Sequence, residues 1–375
     1  MFLLDVVPGR YAAIDGLRAV AALMVFVFHG VAGLETMRNR IPVHEYATRS
    51  IPEIAHDHPL HHALLAGGSR LFIGVDVFFF LSGFLVWRMM ERQGTSLTWL
   101  RFFARRLLRI YPAFAVSMFV AVLVNVTYPD PARIPITPLR VVTNLLMLFG
   151  NPWIPVESFN TPVWTLFWEM SFYAVAPSVF VVVTDARRWP RLPDVVRVAF
   201  ASACVVLFAE YQIRTVMFVL GILVAVRSDD DLRTAARALR GGWVALAAAV
   251  TVASYMWFGD SPILLPVLGF SLSVVFTKVV FDDGPVSRLL VSRPARAFGT
   301  ISYSFYLLHG LMLSWVPRFT YETIMKHGTL VSLVIHLGSC FLTSTIGAVV
   351  LYLVAERWYF VGRHAGGAST STRLA

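Results

Sequence analysis

The stretch Ile14-Asp-Gly-Leu-Arg-Ala-Val-Ala-Ala-Leu-Met-Val-Phe-Val-Phe-His29 decides what kind of molecule this is. It belongs to an apolar run long enough for a bilayer-spanning helix, which needs about 20 residues, yet it keeps Arg18 near one end and His29 near the other. An Arg or Lys at the centre of a membrane helix costs about 2.5–3.5 kcal/mol even on insertion scales, so anchoring alone does not explain these residues. On a helix of about 3.6 residues per turn, the steps from Arg18 to His29 return to within about 20° of one face and climb about 16 Å. Asp15, three residues before Arg18, falls on the same stripe.

The rest of the chain has the same character. Of its 375 residues 57% are hydrophobic and only 14% charged, and the mean hydropathy is +0.68. Soluble chains carry about 25% charged residues, so the expected class is an all-α, polytopic integral membrane protein. The net charge of +10 is carried mostly by Arg at the ends of apolar runs, where topology places it, and does not point to nucleic acid. Cys204 and Cys340 sit in apolar stretches far apart and imply packing rather than a disulfide or a metal knuckle. The first apolar run lacks a small-residue cleavage site and is read as an uncleaved span.

Apolar runs at 13–34, 71–88, 112–128, 163–184, 198–211, 213–227, 242–258, 262–281, 299–317 and 329–355 predict about ten transmembrane helices. A run at 139–150 is too short to cross. Arg88, Arg92, Arg101, Arg105, Arg106 and Arg109 precede the third span, and Arg187, Arg188, Arg191 and Arg197 follow the fourth. The positive-inside rule places both groups in the cytoplasm, with both termini. Residues 1–365 then form the transmembrane domain and 366–375 a short flexible cytoplasmic tail. The 35–70 loop, with His44, His56, His58, His61 and His62, lies outside; its spacing fits no standard ligand set, and no metal site is expected.

With this orientation His29 is expected near the outer end of the first helix, Asp76 near the outer start of the second, and Glu169 two turns into the fourth. The three would share one outer layer, facing a cavity or a partner rather than lipid. On the cytoplasmic side Phe102-Phe-Ala-Arg-Arg-Leu-Leu-Arg-Ile-Tyr-Pro112 predicts an interfacial helix with Arg105, Arg106 and Arg109 on a basic face. Arg suits phosphate because its planar fork donates two parallel hydrogen bonds; anionic-lipid anchoring is the simpler alternative. Ser302, Tyr303, Tyr306 and His309 add a polar stripe to the ninth span, where interhelical glue is the bland reading.

Five motifs, in order, resemble those of the membrane acyltransferase-3 family. They are Ile14-Asp-Gly-Leu-Arg18 with His29; Gly74-Val-Asp-Val-Phe-Phe-Phe-Leu-Ser-Gly-Phe84; Phe103-Ala-Arg-Arg-Leu-Leu-Arg-Ile-Tyr-Pro112; Pro162-Val-Trp-Thr-Leu-Phe-Trp-Glu169-Met-Ser-Phe-Tyr173; and Gly299-Thr-Ile-Ser-Tyr-Ser-Phe-Tyr-Leu-Leu-His309. The resemblance runs from about residue 11 to 360. It implies transfer of an acyl group, commonly acetyl, from cytoplasmic acyl-CoA to a hydroxyl of a sugar, glycolipid, polysaccharide or small molecule, with no tightly bound cofactor. It also implies that Arg18 and His29 form the family's Arg-x10-His signature, that Glu169 is its functional carboxylate, and that Arg105, Arg106 and Arg109 lie on the CoA side. Asp15, Asp76, Ser82, Trp164, Tyr173, Ser302, Tyr303 and His309 are the expected supporting residues.

The chain departs from the family in two places. Where many relatives carry paired glutamates it has Glu169 followed by Met170. Its last residues form a short Gly/Ser/Thr stretch, and the expectation is a protein without the additional extracytoplasmic domain of some relatives. The expected chemistry has His29 as base for the acceptor hydroxyl, Glu169 orienting it, and Arg18 guiding the donor or polarising the thioester carbonyl. The rival reading is a proton-coupled transporter or lipid flippase using the same buried charges; it predicts inverted repeats, and the two halves show no convincing one. The expected location is a bacterial inner membrane, with a carbohydrate or glycolipid acceptor. The sequence encodes neither its identity nor the oligomeric state.

Overall fold

The computed structural model describes residues 11–39, 67–68, 70–94, 98–127, 135–149, 153, 156–184, 202–204, 206, 212–258, 261 and 264–360. Among these residues all regular structure is helical. Most of the expected span at 198–211, the five histidines of the 35–70 loop, Arg187, Arg188, Arg191 and Arg197, and the 366–375 tail lie outside them.

The first long helix, α1, runs from Ala12 to Asn39. At about 1.5 Å per residue its 28 residues extend about 42 Å. The helix continues ten residues past His29, which is therefore an interior residue and not one near the outer end. A 3-10 turn at Arg70–Ile73 leads into α2, Gly74–Gln93. The third helix, α3, is continuous from Trp99 to Thr127. This corrects the expectation of a separate interfacial helix: the arginine-rich turns and the apolar run after Pro112 form one rod. Pro112 removes the N–H that would bond the carbonyl of Leu108, but the apolar sequence on both sides continues the helical phase across it.

The short run near residue 140 becomes α4, Pro138–Leu145, capped by Thr137, whose side chain accepts from the Arg140 N–H. Its eight residues extend about 12 Å, far short of a bilayer. A 3-10 turn at Thr161–Trp164 precedes α5, Thr165–Thr184. Another, Ile213–Thr215, precedes the ten-residue α6, Val216–Ala225. The amphipathic α7, Asp229–Ala238, meets α8, Gly241–Phe258, at a bend of 91°. Then come α9, Leu265–Phe281; α10, Pro285–Leu290; α11, Arg293–Trp315; and α12, Pro317–Lys326. The last, α13, Thr329–Leu351, continues into a π-helical turn at Tyr352–Glu356.

Five described helical segments are long and apolar enough to cross a membrane: Ala12–Arg38, Arg70–Gln93, Trp99–Val126, Pro162–Thr184 and Thr329–Phe360. With 57% hydrophobic residues, this is a helical multi-pass membrane protein.

Lipid supplies no hydrophobic drive between helices, so close approach depends on small residues. Gly83 of α2 and Gly221 of α6 face each other. A Cβ on Gly83 would strike the carbonyl of Phe218, and one on Gly221 the carbonyl of Phe80. Beside this contact Phe218 stacks on Phe79 and Phe172, with ring centroids 4.5 and 4.2 Å apart. Likewise Gly299 brings α11 onto the backbone of α1 at Asp15. These contacts bring α1, α2, α5 and α11 round one polar cavity.

Candidate active site

The cavity encloses about 870 Å³ of space, part of it open to the outside. Its polar wall is built from four helices and a fifth: Arg18 on α1, Ser82 on α2, Arg106 and Arg109 on α3, Thr165, Glu169 and Tyr173 on α5, and Tyr303 and Tyr306 on α11. Val75, Phe78, Phe79, Leu81 and Leu85 of α2 complete it with apolar surface. Thr165 thus joins a site whose other polar members, Tyr306 included, were expected from sequence in separate places.

Glu169 is the hub of the cluster. Ser82 Oγ donates to its Oε1 at 3.0 Å, and the Tyr173 hydroxyl donates to the same oxygen. Tyr173 lies one helical turn beyond Glu169 on α5, so this bond follows from i, i+4 geometry. The Arg106 guanidinium lies over the Tyr173 ring, 5.1 Å from its centroid, and over Phe102 at 5.8 Å. Arg109 lies over Phe360 at 5.7 Å. A guanidinium on an aromatic face is attracted by the ring quadrupole while its donors stay available. Arg105 is exposed, whereas Arg106 and Arg109 are partly buried and line the cavity. The three expected together are therefore divided between two faces of α3.

Tyr303 donates to the carbonyl of Ile110 at 3.0 Å, tying α11 to α3 at the residue next to Arg109. The hydroxyl of Tyr306 donates to the carbonyl of Pro162 and lies 2.6 Å from Thr165 Oγ1. A tyrosine has one hydroxyl proton, so with it engaged at Pro162 the threonine is the donor to Tyr306. Ser302 donates to Gly299 of its own helix at 2.7 Å, which makes it a buried, self-satisfied residue. Trp164 stacks on Phe72 with centroids 6.4 Å apart.

His29 stands away from this cluster. Its ring centroid is 5.3 Å from that of His309 on α11. Among the described residues the hydrogen bonds of Glu169 go to Ser82 and Tyr173, and His29 is not a partner. The expected single layer of His29, Asp76 and Glu169 is resolved into three places. Glu169 shares the cavity with Arg18, about 16 Å along α1 from His29. Asp76, fully buried, is ion-paired with Arg214, which also lies 4.3 Å over the Phe72 ring. Sequence position alone does not fix the height at which each helix starts. The 3-10 turns before α2 and α5, and the long extension of α1, shift these starting points.

Sequence reasoning missed Glu356. It is buried at the end of the π-helical turn, where Ser304 of α11 donates to it, and its electrostatic neighbours include Arg18 and Arg109. Asp15 has Arg18, Arg296 and Arg109 as its own charged neighbours. The signal was present, since Glu356 directly follows the last apolar run, but a rule that flags ionisable groups inside spans passes over one at their edge. Arg214 was missed in the same way. Among the described residues no group of His, Cys, Asp and Glu is arranged to hold a metal ion.

Comparison with known proteins gives the family. The profile of the acyltransferase domain family matches residues 11–353. Acyltransferase MdmB of Streptomyces mycarofaciens is 26% identical over 343 residues, covering 82% of this chain and 80% of that protein. Peptidoglycan O-acetyltransferase OatA of Listeria monocytogenes is 28% identical over 193 residues, 48% of this chain and 26% of OatA. Exopolysaccharide production protein ExoZ of Rhizobium meliloti is 36% identical over 146 residues, 36% of this chain and 42% of ExoZ. No solved structure matches significantly. The family profile covers every element that lines the cavity, and the chain belongs to the acyltransferase-3 family of membrane enzymes.

Proposed function

We propose that this protein moves an acyl group, acetyl in the simplest case, from cytoplasmic acyl-CoA to a hydroxyl of a cell-surface carbohydrate. It would work in a bacterial cytoplasmic membrane, with ten crossings and both termini inside. One observation carries the reading: the cavity sets three guanidinium groups, Arg18, Arg106 and Arg109, against one lining carboxylate, Glu169. A wall with that surplus of positive charge favours an anionic donor, and arginine forks match phosphate. The names of OatA and ExoZ favour a carbohydrate acceptor.

In this reading Arg106 and Arg109 meet the phosphates of the donor, while Arg105, exposed on the other face of the same turns, does not. Glu169, held by Ser82 and Tyr173, balances the arginines and fixes their positions. The acyl thioester reaches along the Arg18 face of α1, past Tyr306 and Thr165, toward His29. His29 takes the acceptor's hydroxyl proton while the acceptor oxygen bonds to the acyl carbon. Arg18, on a separate stretch of α1 away from His29, guides the donor's arm along this face. The carbon–sulfur bond then breaks, and the CoA thiolate leaves and gains a proton. Acyl-CoA is a substrate in this scheme, and no resident cofactor is invoked.

The test is transfer of label from [14C]acetyl-CoA into a base-labile carbohydrate fraction by membranes containing the full chain. Label incorporation that needs the protein and is lost with His29→Ala, at unchanged protein level, is the expected result. Movement of a lipid or proton without consumption of acetyl-CoA would instead favour the transporter.

A further inference from the structure

Among the buried bases without a role in this mechanism, His309 is the one beside His29. His309 is fully buried on α11, and its Nδ1 lies 2.7 Å from the carbonyl of Tyr306. A carbonyl can only accept, so Nδ1 carries the proton and Nε2 carries the lone pair. Among the described residues no donor reaches that Nε2. A buried, basic ring nitrogen left without a donor forgoes a hydrogen bond that buried polar groups ordinarily make. The neighbouring ring is His29, with centroids 5.3 Å apart and planes tilted by 41°. Nε2 makes no direct hydrogen bond to that ring, and at this separation one water can bridge the two imidazoles.

We propose that His309 is the proton-holding partner of His29, and that the two imidazoles act as a relay. The inference rests on the reading of His29 as the base. When the acceptor's O–H bond breaks, its proton goes to one nitrogen of His29, and His29 passes the proton from its other nitrogen to Nε2 of His309. His309 is then an imidazolium whose Nδ1–H still donates to Tyr306, a bond that strengthens as the ring gains charge. After the carbon–sulfur bond breaks, the proton returns and ends on the CoA sulfur. Acceptor hydroxyl plus acyl thioester thus give ester plus thiol, with no net proton change. Such a store is useful in this fold because His29 and the Arg18–Glu169 cavity are separated along α1. His309 touches neither substrate, so it is a positioning residue that acts through His29.

His309→Asn tests this directly, because an asparagine amide can keep the donor to the Tyr306 carbonyl while removing Nε2. The assay is initial-rate transfer from [14C]acetyl-CoA in membranes containing the full chain, repeated in mixtures of H2O and D2O. The wild type should give a curved dependence of kcat on deuterium fraction, as two moving protons require. The variant should lose kcat by about a hundredfold, the lower end of what a positioned proton-transfer group contributes, with KM for acetyl-CoA within about twofold and a linear deuterium dependence. A merely structural histidine would not change curvature. If His309→Asn fails to accumulate, His309→Gln should show the same loss and the same linear dependence. Wild-type kcat in either variant, or retained curvature, overturns the relay. His29→Asn in the same membranes separates the two readings: full activity there overturns His29 as the base, whereas loss there with wild-type kcat at position 309 overturns only the relay.

Discussion

Tyr173 and Glu169 stand one helical turn apart on α5, and the carboxylate oxygen that accepts from Tyr173 also accepts from Ser82 of α2. One carboxylate thus joins two helices and orients a ring on which Arg106 lies. Tyr173→Phe keeps the ring and removes only the hydroxyl. Hydrogen bonds to charged groups contribute about 1.5–3 kcal/mol, so the variant should melt earlier in detergent and lose acyl transfer. Ser82→Ala should do the same, and the double variant should cost less than the sum, because both single changes act on one oxygen. Strict additivity in melting would contradict the shared-acceptor arrangement.

The three arginines of α3 should separate in kinetics. Arg106→Gln and Arg109→Gln alter the cavity wall and should raise the apparent KM for acetyl-CoA by about tenfold or more. Arg105→Gln changes an exposed residue and should leave KM within about twofold. Equal effects at all three positions would mean that the donor reads the whole basic turn. Reduced membrane abundance with unchanged KM would favour lipid anchoring.

The Asp76–Arg214 pair is expected to act on folding rather than chemistry. Breaking a buried ion pair by removing one partner costs about 3–5 kcal/mol, so Asp76→Asn should sharply lower the yield of folded protein. Replacing both, as in Asp76→Leu with Arg214→Met, should recover much of it. Transfer activity per folded molecule should stay near wild type in the double variant. Its loss there would place Asp76 in the chemistry.

Glu356→Gln keeps an acceptor for Ser304 and removes one charge from the surroundings of Arg18 and Arg109. The expected outcome is a folded protein with reduced kcat, while Glu356→Ala should also lose stability because the buried Ser304 hydroxyl loses its partner. A Gln variant with unchanged kcat and KM would restrict Glu356 to packing.

The helical membrane class and most of the cavity's polar residues were legible in the sequence, for one physical reason. A cation, carboxylate or imidazole in an apolar run is costly unless it faces a cavity or a partner, so Arg18, His29 and Glu169 stand out without any coordinates. What periodicity cannot supply is the relative height of different helices. The juxtaposition of Glu169 with Arg18 rather than His29 depends on where 3-10 turns end and where α1 stops. The division of Arg105 from Arg106 and Arg109 depends on which face of α3 meets α5. Asp76 and Glu356 find Arg214 and Ser304 across long sequence separations, which a single sequence does not encode locally. The merger of the basic turns with the third span was missed because Pro112 reads as a boundary, whereas the packed helix passes through it.

The lengths of α1 and α3 have a consequence for hydration. Each is over 40 Å long by its residue count, against a hydrocarbon thickness of about 30 Å. Arg18 stands about 9 Å from the start of α1, and Arg106 about 10 Å from the start of α3. The surplus length of both helices suffices to place these starts beyond the acyl chains on one side. With those starts in the headgroup region, the cations would lie in a wet vestibule, where charge costs far less than at the bilayer midplane. The arginines that first looked out of place in a membrane would form its aqueous doorway, with His29 lying deeper along α1.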